Sequence, residues 1–180
     1  EHNTKNYFFS FPITERGYIL GRYFGSFVVL LGIMAVGMLG IVIGSLLGPV
    51  FNLADNTERF GPIRFRDYAY PFLLFVLPNM FLVGSIFFAL VAFSQQVFTT
   101  YAGSILLFIA YLLGTTLSQD LENKHLVNLL DPFGSFAYDN ATKYWSPVEQ
   151  NTLVPPLEGD LLTNRLIWLG VALLVFLLTV

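Results

Sequence analysis

The residue types that most often do chemistry are scarce in this sequence, and those present are poorly spaced for it. There are two histidines, His2 and His125, and no cysteine. Thiolate metal sites and disulfides are therefore excluded, and the redox compartment cannot be read. Neither histidine falls in an apolar block, so a haem held by paired intramembrane histidines is also excluded. The HExxH zinc pattern and the glycine-lysine loop that cradles phosphates are both missing. No Ser/His/Asp grouping offers a nucleophile with its base. These residues predict no catalytic site, no cofactor and no metal centre.

The remaining polar groups sit among long apolar blocks. Pro78-Asn79 interrupts one of them. A proline inside a helix removes one hydrogen bond and bends the helix, and an amide at membrane depth must face protein or water. The pair reads either as a kink with a satisfied amide or as a substrate contact. Thr99, Thr100, Ser104, Thr115 and Thr116 can bond back to their own helix and point to function less strongly.

The elements that position these groups follow from composition. Hydrophobic residues make up 55% of the chain and charged residues 12%, against about 25% charged in a soluble domain. Mean hydropathy is +0.65. The apolar residues gather into uncharged blocks of about 20 residues, enough to cross about 30 Å of hydrocarbon as helix. Lipid offers no partner to backbone amides, and barrel-type alternation is absent, so each block must be a helix. The fold class is all-α, a polytopic transmembrane bundle with three complete spans and a truncated fourth.

The boundaries read as follows. Residues 1–22 form a polar entry segment, with Thr14 as an N-cap leading into an amphipathic stretch. The first span covers 23–48 and stops at Gly48-Pro49. A loop occupies 49–69, a second span 70–93 opens with Pro71 in its first turn and kinks at Pro78, and 94–97 is a tight turn. The third span covers 98–117, a long polar stretch 118–165, and a last span 166–180, with Trp168 at the interface level. The chain begins at Glu1 without a signal peptide and stops at Val180 inside an apolar run, so both ends read as cut.

Sidedness is weakly written. Lys5, Arg16 and Arg22 lie before the first span, Arg59, Arg64 and Arg66 in the first loop, and Lys124, Lys143 and Arg165 in the long one. This even split leaves the positive-inside rule little to act on, and only the N-terminal trio favours a cytoplasmic start. No acidic or basic residue falls inside a span as drawn here, which disfavours a proton- or ion-coupled carrier. A net charge of −3 and a pI near 5.2 give no sign of a nucleic-acid partner.

Two further patterns concern packing. Gly40, Gly44 and Gly48 form a tandem GxxxG in the first span, and Gly17, Gly21 and Gly25 another at its entry. Such stripes let a neighbouring backbone approach closely, as a fixed seam or as a sliding interface. In the stretch 118–165, Leu126, Leu129, Leu130, Phe133 and Phe136 recur at helical spacing. Asp131 and Pro132 read as an N-cap and first-turn proline joining two short amphipathic helices. Tyr144 and Trp145 suit an interface, while Pro147, Pro155 and Pro156 mark an extended return. The stretch reads as a re-entrant surface cap or as a substrate gate. Asn140-Ala141-Thr142 matches the glycosylation sequon, which matters only in a eukaryotic secretory setting.

The run Phe11-Pro12-Ile13-Thr14, followed by Tyr18 to Gly25, resembles the entry to a span in ABC-2-type transporter permeases. The series Leu130-Asp131-Pro132-Phe133-Gly134, Lys143-Tyr144-Trp145, Glu149-Gln150-Asn151-Thr152 and Asn164 to Gly170 is similar to bacterial permeases of this type that also carry a zinc aminopeptidase-like domain. That domain is absent here, and no peptidase chemistry is assigned.

The resemblance implies a bacterial inner-membrane chain that forms a translocation path, with ATP hydrolysed by a separate ATP-binding cassette subunit. It further implies a second permease half or a homodimer. The segment Pro12–Arg22 would receive the ATPase stroke, with Thr14 capping it and Arg16 and Arg22 as contacts; both arginines equally suit anionic headgroups. A non-transporting membrane anchor of an enzyme complex is the alternative.

Overall fold

The computed structural model describes residues 14–51, 63–119 and 123–180, and among these every regular element is helical. Helix α1 runs Glu15–Leu47, α2 Phe65–Ser94, α3 Phe98–Gln119, α4 Lys124–Leu130, α5 Ser135–Thr142, α6 Pro147–Thr152 and α7 Gly159–Thr179. Four of them, α1, α2, α3 and α7, are long and apolar enough to cross a membrane. The chain is a multi-pass, all-α membrane protein.

Thr14 starts α1, its hydroxyl accepting from the Gly17 amide at 3.2 Å. The described end of the expected entry segment, from Glu15, and the first span are therefore one uninterrupted helix of 33 residues, about 50 Å at 1.5 Å per residue. It ends before Gly48, whose amide donates to Gly44 O at 2.9 Å.

Helix α2 starts at Phe65, earlier than the residue 70 expected, so Pro71 lies within it rather than in its first turn. Phe72–Val76 form a π-helical turn in which the Leu77 amide donates to Phe72 O, five residues back. Pro78 has no N–H, and its ring would clash with the carbonyl four residues earlier. The wide turn just before it relieves that clash and keeps the helix going. Gln95, in the left-handed region at φ 53°, ends α2 and turns the chain into α3.

Helices α4, α5 and α6 form a cap between α3 and α7. Pro147, expected in an extended return, instead opens α6 behind a capping box. The Ser146 hydroxyl accepts from the Glu149 amide at 3.4 Å, and Glu149 Oε2 accepts from the Ser146 amide at 2.8 Å. Glu149 is thereby held below the usual glutamate range, chiefly by that backbone amide.

The largest correction concerns the fourth span. Helix α7 begins at Gly159, whose φ is +57°, and not near Leu166. Its buried residues, Leu161, Asn164, Arg165, Ala172 and Phe176, fall on one face at helical spacing. Arg165 therefore belongs to the helix interior. This apolar helix thus carries a charged residue that the expected span 166–180 left outside, and Arg165 is only 3% exposed.

Candidate functional site

The buried polar groups converge where α2, α7 and the cap meet. Asn164 and Trp168 of α7 serve the C-terminus of α4, whose last carbonyls have no partner within their own helix. Asn164 Nδ2 donates to Asn128 O at 2.6 Å and Asp131 O at 2.8 Å, and Trp168 Nε1 donates to Leu129 O at 3.0 Å. At the other end of α4, His125 Nδ1 lies 2.7 Å from Asp160 Oδ1, and Asn128 Nδ2 donates to Asp160 Oδ2 at 2.8 Å. The short helix is thus bolted to α7 along its length.

The turn that follows is built by Asp131. Its carboxylate accepts from the Phe133 and Phe136 amides, both at 2.9 Å. Asp131 is the C-cap of α4, and through Phe136 it also serves the first turn of α5. The N-cap of α5 is therefore Gly134 and not Asp131 as expected, and Pro132 lies in the turn rather than in a helix. Gly134 takes φ +77°, and a Cβ there would stand 2.1 Å from Arg165 Nη2. Glycine is required at this position twice over, by the backbone and by the guanidinium pressed against it.

Arg165 lies at the centre of the arrangement. Its Nε and Nη2 donate to Asn164 Oδ1 at 3.0 and 2.5 Å, Nη2 donates to Pro132 O at 3.3 Å, and Nη1 donates to Asn79 Oδ1 at 3.0 Å. The guanidinium also stands 5.5 Å from the centre of the Phe75 ring. No carboxylate lies within ion-pair distance among the described residues, and Asp131 attracts it from farther away. Burying an unpaired charge costs several kcal/mol unless its donors are met. Here every guanidinium nitrogen has an oxygen acceptor.

Asn79 completes the circuit by donating from Nδ2 to Phe133 O at 3.2 Å. The amide expected to face protein or water therefore faces protein, midway along α2, and is spent on Arg165 and the cap turn. Below that turn lies an apolar cavity of about 460 Å³ lined by Leu82, Ile86, Leu107, Tyr111, Phe133 and Trp168.

A second junction joins α1 to the bundle. Tyr23, 4% exposed, places its hydroxyl 3.0 Å from Ser85 Oγ and donates to Phe81 O at 3.4 Å. The rings of Phe27, Phe81, Phe88 and Phe176 surround it. Farther along, the Tyr68 hydroxyl reaches Ser45 Oγ at 3.4 Å.

The other residues singled out from the sequence are dispersed. Gly40 and Gly44 face open space, with nothing within 4 Å of an added Cβ, whereas Gly48 is buried at the helix end. Among the described residues the tandem glycines therefore form no seam along their length. Arg16 and Arg22 are exposed, and Arg22 Nη1 donates to the Tyr18 hydroxyl at 3.4 Å. Pro12 lies outside the described residues. Tyr144 is 89% exposed and Trp145 half-buried, away from the Arg165 cluster.

Reading by uncharged blocks missed Arg165, Asn164 and Tyr23. Leu161 and Leu162 upstream of the charge were the available signal, since they continue the apolar face of α7. Comparison with protein-family models, curated proteins and solved structures finds no match to this chain.

Proposed function

We propose that this chain is a membrane-spanning permease subunit whose energy comes from a separate ATP-binding subunit. The supporting observation is the continuity of α1. From the Thr14 cap, the described part of the segment expected to receive the ATPase stroke continues without a break to Leu47. A push at Arg16, in the first turn, is transmitted along a rigid rod.

Tyr23 then passes the displacement to α2 and α7 through Ser85, Phe81 and Phe176. The Asn79–Arg165 circuit ties those two helices to the cap. Movement of α1 therefore reaches the turn above the apolar cavity. The open glycine face of α1 supports a further membrane subunit or a second copy beside it.

The test is co-purification of the protein with an ATP-binding subunit from its native membrane. Recovery of an ATPase that falls sharply in Arg16→Glu supports the reading. Absence of any ATP-binding protein, or unchanged recovery with Arg16→Glu, removes the coupling role.

A further inference from the structure

A second apolar space lies between α1 and α2, on the side of the 94–97 turn. It is a groove of about 800 Å³, bordered by Arg22, Tyr23, Ser26 and Leu30 of α1 and by Met80 and Phe87 of α2. Tyr18 and Ile19 also line its α1 wall, so Arg22 stands one turn inside the end of that wall. From Arg22 to Leu30 the wall extends about 12 Å at 1.5 Å per residue. One leaflet of hydrocarbon is about 15 Å deep. The stretch of groove beyond Arg22 therefore approaches the depth of a leaflet, with a cation where a headgroup lies and mostly apolar walls where a tail lies.

Arg22 is exposed and makes no ion pair among the described residues, and the residues after it up to Leu47 are uncharged. Its place at the end of the apolar run puts the guanidinium at the membrane–water boundary. Arg16, six residues earlier, falls on another face of the helix and does not border the groove.

We propose that the α1–α2 groove binds one lipid with an anionic headgroup, its phosphate on Arg22 and one acyl chain between the helices. Charge complementarity at the mouth selects this occupant over an uncharged amphiphile. The lipid lies beside the Tyr23 junction, so it bears on the packing of α1 against the bundle. This proposal does not rest on the transport reading and stands or falls separately.

The experiment uses the protein in nanodiscs containing phosphatidylglycerol or phosphatidylcholine, each with a photoactivatable diazirine on the acyl chain. Labelled residues are mapped by mass spectrometry. Wild-type protein is expected to be labelled at Ser26, Phe27 and Phe87, with phosphatidylglycerol favoured about fivefold, the effect of one cation near an anionic surface. Arg22→Gln should abolish that preference while Arg22→Lys retains it. Ser26→Trp, which fills the groove, should reduce labelling by both lipids. Absence of groove labelling in the wild type, as when protein fills the space, overturns the proposal. Equal labelling by the two lipids does the same and needs no variant.

Discussion

Arg165 Nη1 donates to Asn79 Oδ1 across 3.0 Å, tying α7 to the middle of α2, while the same asparagine donates to Phe133 O in the cap turn. One amide thus holds three parts of the molecule. It does so because a guanidinium can only donate, which turns the asparagine oxygen towards it and leaves the nitrogen for the carbonyl.

Removing the amide strands a charged donor in the interior. Asn79→Leu keeps the side-chain size and the helix but leaves Arg165 Nη1 without its acceptor. Leaving a buried donor without its acceptor costs about 1–3 kcal/mol, and more when the donor is charged. Thermal unfolding in detergent should show a midpoint lowered by several degrees, and Asn79→Gln should recover little, because the longer side chain moves the oxygen. An unchanged midpoint in Asn79→Leu would show that the contact carries no stability.

Gly134 answers for the turn. Gly134→Ala adds a Cβ where the guanidinium already lies and places an L-residue at φ +77°. The backbone alone costs about 1 kcal/mol, and displacing Arg165 adds more. Proteolysis of the cap should become faster while the 94–97 turn, remote from the change, keeps its wild-type rate. Equal rates at both places in the variant and the wild type would contradict this account.

The capping box gives a pH dependence with a definite sign. The folded-state pKa of Glu149 is depressed by the Ser146 amide and hydroxyl. Its contribution is therefore present above the unfolded carboxylate value, about 4.3, and is lost as pH falls through the depressed folded value. Hydrogen exchange in Pro147–Thr152 should accelerate beyond its intrinsic pH dependence on acidification across that window, and Glu149→Gln should flatten the response. Acid-independent protection in the wild type would refute the role of the carboxylate.

The open glycine face predicts a difference between folding and assembly. A Cβ added at Gly40 or Gly44 meets nothing within 4 Å among the described residues, so Gly40→Leu and Gly44→Leu should leave the isolated chain unfolding at its usual temperature. Assembly with a neighbouring membrane subunit, read by size-exclusion mass in detergent, should be lost. Unaltered assembly would exclude this face as a seam.

How far the sequence reveals this molecule differs by level. The four apolar helices are legible because each must satisfy its own backbone in lipid, and a block of uncharged residues announces that requirement. The Thr14 cap and the join at Asp131 are legible because short polar side chains act on neighbouring amides.

Arg165 was illegible to the same rule. A charged residue ends an uncharged block by definition, and only the acceptors from Asn79, Asn164 and Pro132 make its burial affordable. Those acceptors come from separate parts of the chain, which local pattern cannot bring together. The π turn before Pro78 is similar: proline announces a disturbance but not whether the helix bends, ends or widens.

The coupling of α1 to an energy source is tested most directly by ATP hydrolysis. The protein would be purified from its native membrane with whatever subunits accompany it and reconstituted in nanodiscs. The account predicts hydrolysis by a co-purifying subunit that falls at least severalfold in Tyr23→Ala, where the rod is uncoupled from α2 and α7 although Arg16 is intact. Hydrolysis unaffected by Tyr23→Ala, or none in any preparation, would contradict it and leave the chain as a membrane anchor.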